Sequence, residues 1–133
     1  MMLIAISVIA CAIMLIALAG LISKGGQELD KTPFRESWKK IVVRAKDESG
    51  YEISIINADK LLDLALKKRR YKGDTMGERL ISAKDVLTKR QQVWNAHKLR
   101  NRIVHEENIM LDKRKVYDAL SGFESALKDL GAL

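Results

Sequence analysis

Residues 2 to 22 read MLIAISVIACAIMLIALAGLI, an apolar run in which Ser7 is the one strongly polar side chain. A helix needs about 20 such residues to cross a hydrocarbon core of roughly 30 Å. The run is too long for the apolar centre of a signal peptide, and no Lys or Arg precedes it. It therefore predicts a membrane anchor over 1–23, then a linker over 24–31 and a single domain over 32–133. Val8-Ile9-Ala10-Cys11 is loosely similar to a lipoprotein cleavage box, but the run continues past it and the basic leader is missing. Cys11 is then an apolar passenger. As the sole cysteine it excludes an intramolecular disulfide, and the domain needs no oxidising compartment.

Every charged side chain lies after residue 23, so the formal net charge of +7 belongs to the chain beyond the run. Lys24, Lys31, Arg35, Lys39 and Lys40 stand near its end, and no charged side chain stands before it. By the positive-inside rule this predicts a single-pass plasma-membrane protein, N-terminus outside and C-terminal domain in the cytoplasm. The same cations could attract anionic headgroups, at about 1 kcal/mol each near a surface.

The rest of the chain is patterned for helices. Gly25-Gly26 breaks the run, and Thr32-Pro33 reads as an N-cap and first helical residue. Phe34, Trp38, Ile41, Val42 and Ala45 form one apolar stripe. A longer helix is expected from about Tyr51 to Arg70, with Ile53, Ile55, Ile56, Ala58, Leu61, Leu62, Ala65 and Leu66 on a broad core face. Thr75 and Glu78 form a capping box that opens a helix bearing Leu80, Ala83, Val86 and Leu87. A fourth helix should span about Lys89 to Glu107. Asp112 caps a fifth, with Val116, Leu120, Phe123, Leu127 and Leu130 on its core stripe. Gly-rich phosphate loops, paired-cysteine metal patterns and alternating strand patterns are absent from the sequence, so no cofactor and no metal are expected. The fold expected is all-α: a transmembrane helix followed by an up-and-down bundle.

Both histidines of the chain fall in HKLRNRIVHEE, residues 97–107. At about 100° per residue, Gln92, Ala96, Leu99 and Ile103 share the face expected to meet the core. Trp94, His97, Asn101 and His105 follow at steps of three, four and four, a second stripe on roughly the opposite face. Such a stripe reads as a surface that meets something. Imidazole can give or take a proton near neutrality. Arginine offers a planar cationic fork that matches phosphate oxygens, and asparagine can hold either group. Together they suit metal-independent cleavage of an RNA phosphodiester. The plainer account is also available, since His105 at a helix C-terminus gains from the dipole and Arg102–Glu106 is an ordinary i,i+4 pair.

Lys67, Lys68, Arg69 and Arg70 open the run KKRRYK, which reads either as helix-end cations or as phosphate contacts. Between Lys67 and Arg102 stand twelve Lys or Arg and three Asp or Glu, an excess of nine positive charges that would attract RNA of any sequence.

Arg100-Asn101-Arg102-Ile103-Val104-His105 resembles the R-N-x-x-x-H form of the R-x(4–6)-H motif of the HEPN superfamily. The resemblance implies a small helical bundle, functional roles for Arg100 and His105 with Asn101 beside them, and a homodimer that joins two motifs in one cleft. Glu107 stands where one toxin branch carries a tyrosine, so regulation tied to that tyrosine does not transfer. His97 and Trp94 lie outside the motif and rest on the helical stripe. Many HEPN domains are non-catalytic binding modules. Two functions are therefore expected in competition: a membrane-anchored endoribonuclease, or a helical module that binds a protein partner, RNA or a nucleotide. Binding of anionic lipid by the basic face explains the charge but not the histidines.

Overall fold

The computed structural model describes the backbone of residues 2–23 and 26–133, and the side chains of residues 4, 6–17 and 26–133. The helices are α1 (Met2–Ser23), α2 (Lys31–Arg44), α3 (Tyr51–Lys68), α4 (Met76–Ser82), α5 (Arg90–His105) and α6 (Lys113–Asp129), with a short 3-10 turn at Glu48–Gly50. No strand occurs among the described residues, so the all-α expectation holds.

The expected membrane anchor is corrected. Among the described residues, no helix is long and apolar enough to cross a membrane. Lys24 and Gly25, where the basic flank and the glycine break were expected, lie outside the described residues.

The remaining helices pack around α3, which lies against α2, α4, α5 and α6. Its stripe buries Ile55, Ala58, Leu62, Ala65 and Leu66 completely. α6 supplies Val116, Phe123 and Leu127 to the same core, and Leu130 follows just past its end. A fully buried aliphatic or phenyl side chain contributes about 1.5–3 kcal/mol, so α3 and α6 supply most of the apolar support of the bundle. α5 crosses α6 closely: a Cβ on Gly122 would stand 2.9 Å from the Gln92 carbonyl oxygen. Side chains clamp the ends together. The Thr88 amide donates to Asp129 Oδ2 at 2.8 Å, fixing the α4–α5 connection to the end of α6. Arg69 Nη1 donates to the Gly26 carbonyl at 2.9 Å, holding the segment before α2 against the end of α3.

The helix starts follow local chemistry. Asp112 caps α6 by accepting from the Lys115 amide, and the Thr75–Glu78 capping box forms in full. α2 starts earlier than Thr32-Pro33 implies, because Asp30 accepts from the Thr32 amide and is the cap. α4 stops at Ser82, sooner than its apolar spacing suggests. Ala83 and Leu87 still reach the core from the turns beyond it, while Val86 is exposed. α3 ends in a left-handed residue, Arg70, at φ 62°. The Tyr71 amide returns to the Leu66 carbonyl and the Arg70 amide to that of Lys67, satisfying two terminal acceptors.

Candidate functional site

α3 carries two carboxylates one turn apart, Asp59 and Asp63, on the side that faces α4 and α5. Asp59 sits within the buried stripe, between Ala58 and Leu62, and is 3 % exposed. A carboxylate there requires partners, because an unpaired buried charge is strongly unfavourable. α5 supplies them. His97 Nδ1 lies 2.8 Å from Asp59 Oδ1, and Arg100 Nε lies 3.4 Å from Oδ2. Arg100 Nη1 donates to Asn101 Oδ1 at 3.0 Å, which turns the Asn101 amide group toward His97 Nε2, 3.4 Å away.

This geometry fixes the imidazole. An ionised carboxylate only accepts, so Nδ1 carries the proton that points at Asp59. In the neutral ring Nε2 is then the acceptor, and its contact with Asn101 is long enough to be weak. Nε2 faces a cavity of about 460 Å³, lined among others by Thr75, Gly77, Arg100 and Asn101. Gly77, in the first turn of α4, keeps that side open. A Cβ there would sit 3.8 Å from Nε2 and 3.5 Å from the Trp94 ring.

Asp63 performs a structural task at the edge of the same cavity. Arg79 from α4 grips it through Nε–Oδ1 at 2.7 Å and Nη2–Oδ2 at 3.0 Å, and its Nη1 donates to the Gly73 carbonyl. Lys67 adds an ion pair at 3.2 Å. Burial pushes the Asp63 carboxyl up, but the hydrogen bonds and charges of Arg79 and Lys67 outweigh it and hold the group below the usual carboxylate range. Short α4 is thereby locked onto α3, and Gly77 is held beside the imidazole.

The structure brings His97, Arg100 and Asn101 together. It leaves His105 apart, exposed at the end of α5 and without a hydrogen bond or ion pair among the described residues. The stripe Trp94–His97–Asn101–His105 is not an outer surface. Trp94 packs against the core, its ring 5.9 Å from that of His97, and His97 is 8 % exposed. α5 is covered on two sides, by α6 and by α3 with α4, so Val93, Ala96 and His97 are its buried residues. Of the residues expected to face the core, Ala96 is buried, Leu99 and Ile103 pack against the core partly buried, and Gln92 is partly buried at an open groove toward α6. Arg102 points outward and pairs with Glu106 at 3.3 Å. In the basic run Lys67 is paired with Asp63, Arg69 holds Gly26, and Lys68 and Arg70 are exposed. Asp59 was missed by sequence reasoning. Its signal was available: it is the acidic residue inside the apolar stripe of α3.

Among the described residues, no three His, Cys, Asp or Glu side chains are grouped to hold a metal ion. In comparisons with known proteins, no family model, curated protein or solved structure matches the chain.

Proposed function

We propose that this domain is HEPN-like and cleaves RNA without a metal, with the cavity at the α3–α4–α5 junction as its site. The observation that carries the reading is the buried Asp59–His97 pair at 2.8 Å, with Arg100 and Asn101 beside it. The R-N-x-x-x-H hexamer on the penultimate helix of an all-helical bundle supports it as well. Asp59 positions the ring and stabilises the imidazolium formed when Nε2 takes a proton. Nε2 removes the proton of a 2′-hydroxyl, the 2′-oxygen bonds to phosphorus, and the bond to the 5′-oxygen breaks. Arg100 offsets charge developing on the phosphoryl oxygens. The leaving 5′-oxygen needs a proton from a second group. His105 is exposed for that task, delivered by the second copy of a homodimer. The products are a 2′,3′-cyclic phosphate and a 5′-hydroxyl.

One observation favours the non-catalytic reading. Arg100 is already ion-paired with Asp59 and donates through Nη1 to Asn101, although its buried Nε makes no hydrogen bond, so the cluster also serves as a binding or structural network. The test is to incubate the full chain with mixed RNA, with and without EDTA, beside His97→Ala and His105→Ala. The catalytic reading expects EDTA-resistant cleavage with cyclic ends, lost in His97→Ala while the helical signal is kept. RNA retention without cleavage would support the binding module.

A further inference from the structure

The RNA site leaves unused an open groove between α2 and α3. Among the described residues, α2 has one substantial helical neighbour, α3, whereas α3 has four. The groove beside this pair has a volume of about 780 Å³, and Ile41 and Leu61 form its buried floor. Two further apolar side chains stand in it exposed to solvent, Val43 at 61 % and Leu64 at 45 %. Single exposed aliphatic residues need no explanation. Here two of them share one groove with Lys39, Lys40, Arg44 and Lys60. None of these four cations pairs with an Asp or Glu among the described residues.

We infer that this groove is a docking site for an amphipathic acidic helix of another protein. An apolar floor between two packed helices is the shape that receives a third helix, with apolar anchors at i, i+3, i+4 and i+7. The flanking cations select the partner: apolar side chains seated on Val43 and Leu64 must be bordered by Glu or Asp. Two copies meeting groove to groove would oppose Lys39, Lys40, Arg44 and Lys60 with the same four cations, so a second copy suits the groove poorly. A nucleic acid would leave the apolar pair unused. Lys60 also lines the His97 cavity, so the docked helix would lie beside the candidate site. The inference itself does not depend on the RNA reading.

The test uses the full chain and a labelled model peptide about five helical turns long, with Leu on one face and Glu on both flanks. Fluorescence anisotropy should show saturable binding by the wild type. Leu64→Asp and Lys40→Glu should each weaken it about tenfold or more, and the same peptide with Lys in place of Glu should bind about tenfold worse. Both substituted positions are exposed, and circular dichroism of each variant checks the fold. Failure of the peptide to bind, equal binding of the Lys peptide, or equal binding by both variants would overturn the inference. So would two alternatives found in place of peptide binding: self-association abolished by Leu64→Asp, or adsorption to phosphatidylserine vesicles abolished by Lys40→Glu.

Discussion

Replacing Asp59 should separate its structural role from its chemical one. In Asp59→Ala the His97 Nδ1 proton loses its partner inside a site where the ring is 8 % exposed. A buried donor left unsatisfied costs about 1–3 kcal/mol. Arg100 loses its ion-pair partner too, but its side chain is 26 % exposed and can turn to water, so it adds little. The expected loss is about 2 kcal/mol, on the order of a 10 °C fall in Tm for a domain of this size. Asp59→Asn keeps an oxygen acceptor of the same shape and should lose only about 1 kcal/mol. Urea denaturation of the full chain, followed by circular dichroism, measures both. A double-mutant cycle with His97→Ala should give a coupling of about 1–2 kcal/mol, since the two side chains share one buried bond. On RNA, Asp59→Asn should still lower cleavage strongly, because an amide cannot stabilise the imidazolium. Asp59→Ala within 0.5 kcal/mol of wild type, roughly the level of an ordinary surface change, would refute the reasoning.

The pairing of Asp63 predicts an acid-sensitive clamp on α4. Its folded pKa is depressed, so its contribution is present above the unfolded value of about 3.9 and disappears as pH falls through the folded value. The stability difference between wild type and Asp63→Asn should therefore shrink below about pH 4 in urea melts across pH; a constant difference would contradict the assignment. Gly122→Ala places a Cβ 2.9 Å from the Gln92 carbonyl oxygen, and that backbone cannot rotate away. Overpacking of about 1–3 kcal/mol should exceed the roughly 1 kcal/mol gained in helix propensity, so a thermal melt should show net destabilisation. On RNA, Arg100→Ala should reduce cleavage by about 10² or more. Arg102→Ala should change it little, because Arg102 is exposed and paired with Glu106.

The bundle was legible where burial is apolar. Ile55, Leu62 and Leu66 on α3, with Phe123 and Leu127 on α6, stand at helical spacing and are fully buried. Caps were legible for a local reason, since Thr75–Glu78 and Asp112 act within one turn. The start of α2 was misplaced because Asp30 competes with Thr32 for the same task, and its carboxylate is seated to accept from the Thr32 amide. The extent of α4 was not legible either. Ala83 and Leu87 keep helical spacing while the chain is already turning, and the Thr88–Asp129 bond that fixes the turn joins residues 41 apart.

The candidate site was half legible for a related reason. Periodicity finds a core face by its apolar residues, and α5 has few. Its inward face is built from Val93, Ala96 and a histidine, so the rule assigned His97 to the outside. The error has a direct physical origin: His97 is buried by a carboxylate on another helix, and its partner lies 38 residues away. The motif residue His105, found by local spacing, is solvent-facing and has no such partner among the described residues. The two histidines therefore differ in kind. His97 has a fixed ring and a fixed tautomer, which suits a group that must be aligned before reaction. His105 has neither, and could act only after a second surface orders it. If the domain is a nuclease, His97→Ala should remove activity at every protein concentration. His105→Ala should matter only in the dimer: a wild-type subunit mixed with excess His105→Ala should lose activity as mixed dimers form. Equal loss from both variants under monomeric conditions would place the two histidines in one subunit's site and break this division of roles.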